Sequence, residues 1–380
     1  MGVRNETVAG SDADFMVVRE LTVDGDQVEI GRVLAREAAR AYGWRPEPAD
    51  REKARARRLW FERNWPQHHE RMRGAASALG LDFEADEYYV DGLTGVPGGS
   101  GCSATYCPPG LTEERRGLLG RNYDFFTTSA ADLFALLSGG EAKGGQPPMA
   151  SRPYVVRSRP TTGPATTVIT MDTLDGCMDG VNEHGLAVVL LIADAENAGE
   201  PVAAGPQVGL SSIQLPRFLL DTCATVAEAK AALLDAKQYD LGTPLHYLVA
   251  DASGDCFVWE RGAGGDEHIT AGDGGALCVT NHLLNRHPDP EDLPADNAET
   301  MRTYERYRKL SHSTKAAMSG PGVRAALDDV SYAPDTDPHY PIRTLWRSVF
   351  DLGERSVATR FYLGDTDAGP RYSDELVFTC

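Results

Sequence analysis

Cysteine is scarce and unpatterned in this chain: seven residues, at 102, 107, 177, 223, 256, 278 and 380, out of 380. No two stand as a CxxC pair, so neither a zinc cluster nor a disulfide framework is signalled, and free thiols in a cytoplasmic protein fit best. Basic residues are outnumbered, 37 Lys+Arg against 56 Asp+Glu, giving a formal charge of −19 and a pI near 4.9. A nucleic-acid partner needs a basic patch that releases counterions from phosphates, so that class is set aside. Long apolar runs are missing as well, which removes a membrane span. The start, Met1-Gly2-Val3-Arg4-Asn5-Glu6, lacks the charged-then-apolar order of a secretory signal. There is no glycine–lysine phosphate loop, and His68-His69-Glu70 lacks the HExxH spacing of zinc proteases and reads as surface. No metal or redox cofactor is implied.

What is present is enough apolar residue, 42%, to bury a core in one large domain or two smaller ones. Residues 15–23 read as a short strand, and the spacing of apolar residues predicts helices over 27–41, 51–64 and 68–79. The second carries Arg51, Lys53, Arg55, Arg57 and Arg58, a solvated face that pairs with acidic neighbours. Residues 1–101 therefore read as a mostly helical segment ending in a glycine- and proline-rich stretch over 92–101. Strands follow at 102–107 and 116–122, then a helical insertion and loop over 127–151, and strands at 154–157 and 166–173. A hairpin over 177–194 turns at Asn182-Glu183-His184-Gly185, where Asn182 and Glu183 suit a tight turn. Helices are expected at 212–223 and 226–236, the latter opened by a Thr225/Glu228 capping box. After a hairpin over 246–260 and a strand at 276–280 come helices at 297–310 and 322–327, then strands at 344–352, 357–363 and 375–379. Hairpins outnumber strand–helix–strand units. The reading is layered α+β, sheets against each other with helices outside.

The chemistry concentrates at Gly101-Cys102-Ser103, which closes the loop Val96-Pro97-Gly98-Gly99-Ser100. If 102–107 and 116–122 are neighbouring strands, Gly120-Arg121-Asn122-Tyr123-Asp124 returns Arg121 and Asp124 to Cys102. A thiol, a cation and a carboxylate then meet at one sheet end, the start of a nucleophilic site. Cys107 competes, but it precedes Pro108-Pro109 and has no glycine before it. Asn281 stands at the end of the strand expected over 276–280. Bland readings stay open: Cys102 as a small buried hydrophobe, Arg121 with Asp124 as a structural ion pair, Asn281 as a cap. His184, His246 and His282 keep a papain-like cysteine peptidase with a separate histidine in play. A non-catalytic binding protein is the third reading.

Taken together, five stretches resemble the acyl-coenzyme A:6-aminopenicillanic acid acyltransferase family. They are Gly101-Cys102-Ser103, Gly120-Arg121-Asn122-Tyr123-Asp124, the run Asp179-Gly180-Val181-Asn182-Glu183-His184-Gly185-Leu186, the 246–260 hairpin and Val279-Thr280-Asn281-His282. The similarity extends more distantly to choloylglycine (bile salt) hydrolases and penicillin V amidases, all N-terminal nucleophile hydrolases, and covers roughly residues 100–365. It implies a four-layer αββα sandwich made as a precursor. Residues 1–101 would be the pro-segment or α chain, 102–380 the catalytic β chain, with self-cleavage at Gly101–Cys102. Cys102 would be the nucleophile and, through its freed α-amine, the base; such an amine titrates near pH 8 and needs no separate histidine. Arg121 would hold the thiolate, Asp124 would orient the amine and Asn281 would donate to an oxyanion. A second family arginine falls at Arg302, with Arg306 close behind. One departure stands out: the amidases carry an oxyanion asparagine ten positions after the one matching Asn182, and here that residue is Ile192. The implied substrate is a small-molecule amide or acyl thioester, with the choice between hydrolase and acyltransferase left open, as is homo-oligomerisation.

Overall fold

A computed structural model describes residues 2–92, 101–141, 144–193, 207–239, 244–261, 266–333 and 342–380. Residues 96–100 of the loop before Gly101 lie outside the described residues. The strands after Cys102 do pair, but into two different sheets. One sheet runs in the order Leu277–Val279, Cys102–Cys107, Leu118–Phe126, Ile342–Asp351, Ser356–Thr366 and Gly369–Tyr372, with Leu376–Thr379 also on Ser356–Thr366. The other has nine strands: Gly2–Ala9, Val18–Gly25, Tyr154–Pro160, Thr166–Thr170, Asp179–Asn182, Ala187–Ile192, Leu245–Ala250, Cys256–Arg261 and Glu267–Ala271. Within it only Val18–Gly25 and Tyr154–Pro160 run parallel.

The pleat decides which residues look where. Successive side chains alternate faces, and Gly120 and Gly180 point outward, to helices. A Cβ on Gly120 would stand 2.5 Å from Val323 Cγ1, and one on Gly180 2.6 Å from Leu220 Cδ1. Glycine at these two places lets helices Gly320–Asp328 and Leu215–Thr222 lie directly on their sheets. The neighbouring Arg121 and Asp179 point inward, into the layer where Ala187–Ile192 packs against Cys102–Cys107. Helix Gln27–Tyr42 covers Val18–Gly25 and Tyr154–Pro160, and Thr303–Ser313 covers the Cys102 end of the other sheet. The order of layers is helix, sheet, sheet, helix. This is a four-layer αββα sandwich.

Residues 2–92 are less separate, and less purely helical, than their sequence suggests. Strand Gly2–Ala9 was not expected: it is an edge strand with six of its eight residues exposed, so it carries no apolar alternation to read. Its neighbour Val18–Gly25 is second in the nine-stranded sheet and paired on both sides. Helices Gln27–Tyr42 and Arg51–Asn64 fall where expected, and Pro66–Ala78 starts with its proline at the first helical position, where a missing N–H costs nothing. The basic helix is structural: buried Arg57 pairs with Asp91, and Arg58 with Asp86 at 2.8 Å. The surface reading of His68-His69-Glu70 is corrected, since His68 and His69 are buried. Their helix packs on Gln27–Tyr42, and His68 Nδ1 meets Asp175 at 3.0 Å while its ring stacks on Trp65. Arg71 completes this knot, donating to Asp175 and to Asp221, each at 2.6 Å, so its helix is pinned to helix Leu215–Thr222. Among the described residues no helix is long and apolar enough to cross a membrane, and no cluster of side chains could hold a metal ion.

Candidate active site

Cys102 lies opposite Tyr123, and Ala104 opposite Arg121, in the antiparallel pair of Cys102–Cys107 with Leu118–Phe126. Directly opposed residues share a face, so the thiol and the guanidinium enter the same inter-sheet layer. Arg121 Nη2 is 3.6 Å from Cys102 Sγ. The guanidinium is held on every side: Nε by Asp179 from the facing sheet, Nη2 by the Leu190 carbonyl, Nη1 by the Asn122 carbonyl at 3.2 Å. It lies over the Tyr123 ring, 4.8 Å from the centroid, and that ring stacks on Trp346 at 3.8 Å. Trp346 Nε1 in turn donates to Asp179 Oδ2 at 2.6 Å. Asp179 was quoted in the sequence motif without a role. Its partner sits on the other sheet, and only the inter-sheet packing reveals the pair.

The peptide bond before Cys102 is held at both polar atoms. The Gly101 carbonyl accepts from Asp124 N–H at 3.1 Å, and Cys102 N–H donates to Asn281 Oδ1 at 2.9 Å. Arg306 ties the two strands together, with Nη2 on Asn281 Oδ1 and Nη1 on the Cys102 carbonyl, each at 2.6 Å. Asn281 Nδ2 donates to the Ile192 carbonyl at 2.9 Å, so the expected oxyanion donor faces Ile192 and the amide oxygen faces the Cys102 nitrogen. Arg302 is not brought to the cysteine. Met301 and Arg302 adopt left-handed φ of 53° and 54°, the helix begins only at Thr303, and Arg302 pairs with Glu305 at 3.0 Å. Arg306, one turn further, is the arginine that faces the sheet.

Burial pushes the Cys102 thiol above its ordinary value; the Arg121 cation and a backbone hydrogen bond from Ile192 pull the other way, while Asp124 and Asp179 oppose them. Burial also pushes the Asp124 carboxyl up. Its Oδ1 accepts from Thr344 Oγ1 at 2.5 Å, and Oδ2, 3.9 Å from Arg306 Nη1, has no hydrogen-bond partner among the described residues. A carboxyl so placed can take up and return a proton. Cys107 faces away, its thiol pushed up to about 12 by burial. The three histidines are otherwise engaged. His246 meets Thr280 O at 2.6 Å and Glu260 at 3.3 Å, His282 meets Thr303 Oγ1 at 3.1 Å, and His184 is exposed in its turn. Asn182 forms that turn and pins it, donating to the Leu220 and Cys223 carbonyls at 3.1 and 2.8 Å. Thr344, Tyr332 and Trp346 also line this region and carried no signal in the sequence.

No curated protein sequence matches this chain. Among solved structures it is similar to penicillin V acylase from Agrobacterium tumefaciens, at 19% identity and TM-score 0.46 over 71% of this chain and 84% of that one. A mutant of conjugated bile acid hydrolase from Clostridium perfringens gives 15% and 0.48 over 72% and 92%. The Caenorhabditis elegans N-acylethanolamine-hydrolyzing acid amidase ortholog gives 14% and 0.40 over 66% and 93%. The model of one family, acyl-coenzyme A:6-aminopenicillanic acid acyl-transferase, matches residues 111–366. With well over half of its length matched, this chain belongs to the acyl-coenzyme A:6-aminopenicillanic acid acyl-transferase family.

Proposed function

We propose that the chain is a cysteine N-terminal nucleophile enzyme that cuts itself between Gly101 and Cys102 and then carries acyl groups on the Cys102 sulfur. The observation that supports this most is the clamped peptide: Gly101 O on Asp124 N–H and Cys102 N–H on Asn281, beside a thiol 3.6 Å from a buried guanidinium. The first reaction forms an S–C bond between Cys102 Sγ and the Gly101 carbonyl carbon. Asp124 takes the thiol proton and returns it to the Cys102 nitrogen as the C–N bond breaks. Asp124 N–H donates to the developing oxyanion in this step. Water then hydrolyses the thioester, leaving a Gly101 carboxylate and a free Cys102 amine and thiol.

In turnover the same thiol attacks the carbonyl of an amide or acyl thioester. The Cys102 amine, held by Asn281 and through it by Arg306, serves as the base, and Arg121 favours the thiolate. The acyl group passes to water or to an amine. The family's own name pairs an acyl thioester donor with an amine acceptor. No Cys–His pair forms among the described residues, which disfavours a papain-like peptidase. Intact mass of the purified wild type beside Cys102→Ala tests the proposal. Fragments 1–101 and 102–380 are expected in the wild type alone; an uncut wild type with full activity, or a Cys102→Ala variant that turns over normally, overturns it.

A further inference from the structure

The surroundings of Gly101 bear on the substrate. A Cβ built on Gly101 would stand 3.0 Å from Tyr332 Cε2, 3.4 Å from Tyr332 Cζ and 3.3 Å from Asp124 Cβ. Carbon atoms attract best at about 3.5–4.0 Å, so at 3.0 and 3.3 Å the added carbon is crowded unless the wall gives by a few tenths of an ångström. The wall is stiff. Tyr332 is only 4% exposed, its hydroxyl donates to the Met301 carbonyl, and its N–H donates to Thr344 Oγ1 at 2.9 Å. The guanidinium groups of Arg306 and Arg302 lie over its ring, 5.3 and 5.9 Å from the centroid. Asp124 Cβ is fixed by the strand that carries it.

Self-cleavage and turnover pass through the same chemical species, a thioester Sγ–C(=O)–Cα on Cys102. In the first the Cα belongs to Gly101; in the second it is the carbon next to the substrate carbonyl. The same thiol attacks, the same Asp124 N–H is at hand for the oxygen, and the same side chains enclose both. From this we infer that the enzyme accepts acyl groups unbranched at the carbon beside the carbonyl, and that Tyr332 enforces the restriction; the inference rests on the self-cleaving cysteine chemistry proposed above.

The test compares two probes, the 2-mercaptoethanesulfonate thioesters of N-acetylglycine and N-acetyl-L-alanine, each rate divided by its rate with free cysteine. Cleaved wild type should prefer the glycyl thioester by at least about tenfold in kcat/KM, the usual range for one misplaced methyl group. Tyr332→Leu should narrow that ratio several-fold, whereas Tyr332→Phe, which keeps the ring, should hold it. Intact mass gives a second readout in the chain itself: Gly101→Ala should slow self-cleavage at least about tenfold, and adding Tyr332→Leu should recover most of the rate. Equal normalised kcat/KM for the two thioesters in cleaved wild type overturns the inference, whatever the variants do. Failure of the wild type to cleave, or hydrolysis by Cys102→Ala at the wild-type rate, strikes the self-cleaving chemistry instead.

Discussion

Replacing Arg121 by glutamine removes the cation in hydrogen-bonding contact with the sulfur. At 3.6 Å and an effective dielectric near 20, a full charge would favour the thiolate by on the order of 4–5 kcal/mol. Asp179, paired with the same guanidinium, offsets part of this, which leaves roughly 2–3 kcal/mol. Burial already holds the thiol high, and without the cation it rises further. Thioester hydrolysis at pH 7 should therefore fall on the order of 100-fold, and the rise of kcat/KM with pH should move to higher pH, so that part of the activity returns in more alkaline buffer. Stability suffers for a separate reason. Asp179 loses its partner in a fully buried site, at a cost of about 3–5 kcal/mol, eased where the carboxyl takes a proton. Arg121→Gln with Asp179→Asn removes the stranded charge, so the pair should recover much of the melting temperature while the neutral-pH rate stays low. A single variant whose rate and pH profile stay within about threefold of wild type would refute the electrostatic reasoning.

Arg306→Ala should abolish self-cleavage, since it removes both 2.6 Å bonds to Asn281 and the Cys102 carbonyl, whereas Arg302→Ala should slow it less than about threefold. Intact mass over time separates the two. After cleavage the 1–101 fragment should stay bound, because Val18–Gly25 lies inside the nine-stranded sheet and Arg71 bridges Asp175 and Asp221; size exclusion should show both fragments eluting together. Burial lowers His282 to about 3 from an unfolded value near 6.5, so between those values the unfolded chain binds a proton that the folded one does not. Melting temperature should drop as pH falls through that window, less steeply in His282→Gln; parallel slopes would count against it.

Local pairing was legible. Two strands joined by a short connection brought Arg121 and Asp124 back to Cys102, and the 182–185 turn with its flanking strands was readable from residue type alone. Contacts between sheets were not. Asp179 and Arg121 are 58 residues apart on different sheets, and no periodicity links them. The arginine assignment missed by one helical turn, because the left-handed pair Met301–Arg302 delays the helix in a way no propensity signals. Ile192 looked like a lost donor, yet its backbone carbonyl, which every sequence carries, meets Asn281. The edge strand Gly2–Ala9 was hidden by its polarity.

The most direct measurement is a mass spectrum of the protein quenched in acid within seconds of mixing with the N-acetylglycyl thioester. The account predicts a 102–380 fragment bearing one N-acetylglycyl group, located on its first residue, Cys102. Turnover with no adduct, or an adduct confined to another cysteine or to uncut chain, would contradict it.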